Sequence, residues 1–74
     1  MFKKMKIRHS IKKCKKQIFA IEQKRSRSQA ALVEAILTNS TPNDEDVDYF
    51  NRYTAQIEEC RREMHELEIQ LKNI

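Results

Sequence analysis

From Phe50 to the end of the chain the apolar positions are Phe50, Tyr53, Ile57, Cys60, Met64, Leu67, Leu71 and Ile74. They follow one another at alternating steps of three and four, with no polar residue interrupting the row. An α-helix places residues three and four apart on one face, so this spacing predicts an amphipathic helix with a coiled-coil-like stripe. The N-terminal half carries a second stripe: Ile7, Ile11, Cys14, Ile18, Ile21, then Arg25 and Ser28, then Leu32 and Ala35. Its two polar members fall in the middle, where Arg25 can lay its aliphatic stem along the seam and carry its charge outward.

One segment breaks the pattern, Asn39-Ser40-Thr41-Pro42-Asn43-Asp44-Glu45-Asp46. Thr41 is suited to cap a helix N-terminus, and Pro42 to occupy the first helical position, where a missing N–H costs nothing. Asp44 is an approximate capping-box partner, and Asp44, Glu45 and Asp46 together suit the positive end of the helix dipole. The chain therefore reads as a single all-α domain over 1–74, a two-helix antiparallel coiled-coil hairpin. Helix one is expected over about 4–38, the turn over 39–41 and helix two over about 42–72. So short a link makes the helices antiparallel neighbours. The expected seam contains Ile11, Ile18, Ile21, Leu32, Phe50, Ile57, Met64, Leu67 and Leu71.

The flanking charges test the pairing. Lys15 with Glu68 and Glu22 with Arg61 are opposite-charge pairs, and each is centred on the Thr41–Pro42 bond where the turn signals sit. Exposed pairs of this kind contribute only ~0.2–1 kcal/mol each, so they select the register more than they stabilise it.

Composition narrows the function. The chain has 74 residues, no Gly and one Pro, which excludes glycine-rich phosphate loops and dinucleotide fingerprints. A chain this short can hardly wall in a catalytic cavity, and no nucleophile–base pair or paired-carboxylate site stands out. The expectation is a non-enzymatic protein with no cofactor. His9 with Cys14 and Cys60 with His65 are each five apart, which turns the members of a pair about 140° from one another on a helix. In the deduced register the four groups do not converge, and no metal site is expected. Cys14 and Cys60 read as small apolar seam residues, offset by more than two helical turns along the axis and too far apart for a disulfide. With no disulfide framework, no secretory signal and no long apolar run, the expected compartment is the cytoplasm.

Charge is distributed unevenly. Residues 1–27 hold eleven basic and one acidic side chain, and residues 28–74 four basic and ten acidic. Part of this cancels within the hairpin. Lys3, Lys4, Lys6, Arg8, Lys12, Lys13, Lys15 and Lys16 remain as a candidate anion-binding group, for nucleic acid above a membrane surface. That group lacks interleaved aromatics and any nucleic-acid-binding motif.

Apolar residues also remain after the seam is filled. Phe19, Val33, Ile36, Leu37, Val47 and Tyr49 are the candidate interface, concentrated near the turn, and small Ala30, Ala31 and Ala35 would admit a close neighbour. Exposed patches of this kind mark protein contacts. The functional expectation is a protein–protein interaction module, a small adaptor or chaperone-like hairpin. Its plan is similar to that of the small helical-hairpin chaperones of bacterial secretion systems, a likeness of shape without a shared motif. The expected partner is a second copy, a helical segment of another protein, or both. A homodimer through the turn-proximal half would build a helical bundle and leave the basic N-terminal turns projecting. The alternative function is a nucleic-acid-binding accessory protein using the basic N-terminal helix.

Overall fold

The computed structural model describes residues 2–74. Two helices, α1 (Phe2–Leu37) and α2 (Asp44–Lys72), account for 89% of the structure and pack against each other as a hairpin. The Cα envelope measures 57 × 16 × 14 Å. Its long dimension is the length of α1, about 54 Å at 1.5 Å per residue, and its cross-section is that of two helices side by side.

The seam follows both stripes. Every one of the nine α1 positions from Ile7 to Ala35 is buried or half-buried, the two polar members included, as are the α2 positions from Phe50 to Leu71. Ile57 is the most enclosed side chain, 1% exposed, and Ile7, Cys14, Ile18 and Ser28 complete the buried set. Arg25 behaves as its long stem allows: the guanidinium carbon sits 5.9 Å from the centre of the Phe50 ring. That position satisfies the charge against the ring face while the methylenes cover the seam. Among the described residues, no buried side-chain nitrogen or oxygen lacks a hydrogen-bond partner.

The turn differs from the expected one at both edges. α1 ends one residue early, at Leu37, and closes with Asn39 in the left-handed region at φ 56°. The Asn39 amide donates to the Ile36 carbonyl (3.1 Å) and the Ser40 amide to the Ala35 carbonyl (2.8 Å). This is the paired-bond cap that usually takes glycine; in a chain without glycine, asparagine is the side chain that best tolerates the conformation. α2 begins at Asp44 rather than at Pro42, because Asn43 and not Thr41 is the cap. Asn43 Oδ1 accepts from the Glu45 amide at 3.0 Å, and the Val47 amide closes the first helical bond onto the Asn43 carbonyl at 3.2 Å. Asparagine outranks threonine at this position, and moving the start by two residues puts Asp44, Glu45 and Asp46 in the first turn, where the helix dipole favours them most. At the other end α1 starts at Phe2 rather than near residue 4, so its first turns run past the end of α2.

Candidate interaction surfaces of the hairpin

The register places every surface. Arg61 Nη2 donates to Glu22 Oε1 at 3.1 Å across the two helices, the pairing expected for helices folded about the Thr41–Pro42 bond. Among the described residues this is the one ion pair. Lys15 and Glu68 line the same shallow cleft at the open end of the hairpin, beside Arg8, His9 and Lys12, without forming an ion pair. The eight N-terminal cations are all exposed. They spread over the exposed face of α1 instead of forming one stripe, since Lys12, Lys13, Lys15 and Lys16 alone span about 160° of the helical circumference.

Moving two heptads toward the turn from Glu22 and Arg61 leads to Ile36 and Val47, which therefore flank the seam on the same side as the ion pair. Val33 and Leu37 adjoin them: with Ser26, Gln29, Ala30 and Glu34 they line one shallow depression on the outside of α1. Phe19, two heptads before Val33, continues the same column and is 63% exposed. Five of the six residues expected at an interface, Phe19, Val33, Ile36, Leu37 and Val47, thus share one flank of the hairpin. Tyr49 does not join them. Two residues beyond Val47 a helix has turned by about 200°, and Tyr49 stacks on Tyr53 along the opposite side, with ring centres 6.1 Å apart and planes 16° apart.

Two further residues extend the flank beyond that expected set. Phe2 and Met5 are exposed, and the heptad frame puts them on the same side of α1 as Phe19. Lysines surround them in the linear order, and only the helical winding brings them into line with Phe19. With them included, every exposed large apolar side chain of α1 among the described residues lies on this single flank: Phe2, Met5, Phe19, Val33, Ile36 and Leu37. Met5, Phe19 and Val33 form its central column, with Phe2 and Leu37 to one side and Ile36 to the other, next to the seam.

The thiols occupy the seam. Both cysteines are free, Cys14 buried and Cys60 half-buried. Cys60 Sγ lies 3.9 Å from Gln17 Oε1, a weak donor contact across the seam. Burial pushes the Cys14 thiol above its ordinary value of 9.0, reinforced by the nearby Glu63 carboxylate and by Cys60 and opposed by Lys13. A thiol held protonated is a poor nucleophile and a poor metal ligand. Among the described residues, no three His, Cys, Asp or Glu side chains come together in a metal-holding group. No helix among them is long and apolar enough to cross a membrane.

Comparison with known protein families, with curated proteins and with solved structures finds no match for this chain. The functional reading rests on the residues alone.

Proposed function

We propose that this chain is a non-enzymatic protein-interaction module, an adaptor or chaperone-like hairpin working in a reducing cytoplasm, with α1 as its binding element. One observation carries the reading: the exposed large apolar side chains of α1 are gathered on one flank, from Phe2 to Leu37. Apolar side chains scattered singly over a surface require no explanation, whereas a row confined to one flank of a helix matches a surface that another helix covers. The rest of the exposed face of α1, with Lys6, Lys13, Lys24 and Arg27, is polar. The free thiols agree with a reducing compartment.

Site-specific photocrosslinking in the native cell tests the proposal. A photoreactive phenylalanine analogue at Val33 or Phe19 is expected to give one or two discrete protein adducts, and the same probe at Lys13 or Lys24 none. Equal labelling from both sides, or labelling from neither, would refute a role for this flank.

A second reading, sequence-independent binding of nucleic acid, is favoured by one observation: none of the eight cations between Lys3 and Lys16 is engaged in an ion pair. Cations distributed around a helix can displace counterions from a polyanion but cannot present a groove-reading edge. Retention on DNA or RNA that falls steeply with salt, and is lost when Lys12, Lys13, Lys15 and Lys16 are changed to Gln, would establish it.

A further inference from the structure

The apolar flank of α1 has an internal symmetry. Met5 and Val33 lie two heptads on either side of Phe19, and Phe2 and Leu37 close the two ends of the neighbouring column. A surface whose pattern is unchanged on reversing the chain about its midpoint is complementary to a copy of itself laid antiparallel, which is the requirement of a two-fold interface. Resting on the interaction-module reading, we infer that the flank is covered by a second copy of this chain, α1 against α1 in antiparallel orientation, with the two-fold axis at Phe19.

The pairing follows from the heptad columns. In the central column Phe19 meets Phe19 of the second copy, Met5 meets its Val33, and Lys12 meets its Ser26. In the outer column Phe2 meets Leu37, at the level where Ile36 and Val47 extend the apolar surface. Phe2, Met5, Phe19, Val33 and Leu37 thereby each meet an apolar side chain, with Ile36 beside them. An overlap confined to the turn-proximal half would cover Val33, Ile36 and Leu37 but leave Phe2, Met5 and Phe19 in water. The basic N-terminal turns thus lie along the second copy instead of projecting from it.

The charges agree with this register. The cations on this flank fall opposite neutral or acidic groups: Arg8 opposite Gln29, Lys12 opposite Ser26, Lys16 opposite Gln23, and Lys15 opposite Glu22. No two like-charged α1 side chains are placed face to face, although α1 is strongly basic overall, and Glu22 faces Lys15 while also holding Arg61. The long Lys12 stem can lie over the small Ser26 with its ammonium at the edge. A parallel arrangement would instead set Arg8, Lys12, Lys15 and Lys16 against themselves.

The area is sufficient. A folded monomer of this mass exposes about 4800 Å², and this chain exposes 6299 Å². The excess, about 1500 Å², comes from the elongated shape of the hairpin and leaves room for the ~800 Å² that each partner loses in an interface of standard size. Antiparallel α1 helices centred on Phe19 overlap over about 50 Å, against about 13 Å for an overlap of residues 29–37.

Sedimentation equilibrium of the wild-type chain at 5–100 μM tests association, with a mass of twice 8.9 kDa expected. Cysteine reporters in a Cys14→Ala, Cys60→Ala background test the register. Phe19→Cys is expected to form a disulfide-linked dimer on mild oxidation. Met5→Cys and Val33→Cys are expected to form one when mixed and neither alone. Phe19→Lys sets two ammonium groups on the axis and should weaken association at least 100-fold, while helix content at matched monomer concentration stays near that of the wild type, since Phe19 is exposed in the hairpin. A monomeric wild type overturns self-pairing but leaves the interaction module standing if flank-specific crosslinks to another protein persist. A Val33→Cys homodisulfide without a Phe19→Cys one overturns the Phe19 axis in favour of a turn-centred dimer, and homodisulfides from Met5→Cys, Phe19→Cys and Val33→Cys alike overturn it in favour of a parallel one.

Discussion

Glu22 and Arg61 stand equally far from the Thr41–Pro42 bond and bridge the two helices at 3.1 Å. This bond marks the register at mid-length, where a slip of one heptad would carry Arg61 to the level of Lys15 or Gln29. Because both side chains are substantially exposed, its contribution is small, ~0.2–1 kcal/mol. A double-mutant cycle with Glu22→Gln and Arg61→Gln is expected to give a coupling in that range, diminishing toward zero in 1 M salt. Coupling of several kcal/mol, or no salt dependence, would contradict this reading of the bridge.

The seam is thin, and Ile57 is its centre. Removing three heavy atoms from a side chain 1% exposed costs ~2–5 kcal/mol, comparable to the ~3–5 kcal/mol that the core of so small a chain supplies. Ile57→Ala is therefore expected to lose most of its helical circular dichroism at 25 °C, whereas Ile57→Val should lose only ~0.5–1.5 kcal/mol. Urea titrations followed at 222 nm distinguish the two.

Asn43, not Thr41, caps α2. Asn43→Ala should cost ~0.5–2 kcal/mol, and Thr41→Ala, whose side chain makes no capping bond, less than ~0.5 kcal/mol. Thermal melts of the two variants would place the helix start; the reverse ranking would restore a cap at Thr41.

The Cys14 thiol gives a stability term with a definite sign. Its folded-state value is raised above the ordinary 9.0, first by burial and then by Glu63 and Cys60. Above about pH 9 the unfolded chain releases this proton while the folded chain retains it, so the folded state binds more protons and stability falls as pH rises. The effect is fully absent well below pH 9 and grows until the folded thiol itself ionises. Denaturant midpoints for Cys14→Val are expected to fall less between pH 8 and pH 10 than those of the wild type. Parallel slopes would mean that Cys14 is not the group responsible.

The hairpin was legible in the residues because its cause is local and periodic. Unbroken three–four spacing from Phe50 to Leu71, a matching row from Ile7 to Ala35, and a single polar break leave few other ways to bury apolar surface in a chain this short. The opposite charges of Glu22 and Arg61 then fixed the pairing. Even the polar members of the seam, Arg25 and Ser28, were placed correctly by position alone, because helical geometry assigns a face regardless of polarity.

Three-dimensional packing decided what depends on competition and on rotation. Thr41 and Asn43 are both competent caps, and only the folded turn, with Asn39 in the left-handed conformation, selects Asn43. Lys15 and Glu68 could pair by register, yet exposed side chains in water lose little by staying apart. Val47 and Tyr49 are neighbours in sequence and both apolar, but the helix turns them to opposite sides of the hairpin. Phe2 and Met5, among lysines in the linear order, join Phe19 and Val33 once the helix is wound and its seam side is occupied. Spacing along the chain determined which residues face α2; which of the remaining apolar residues form one surface was settled only when α2 had taken its side of α1.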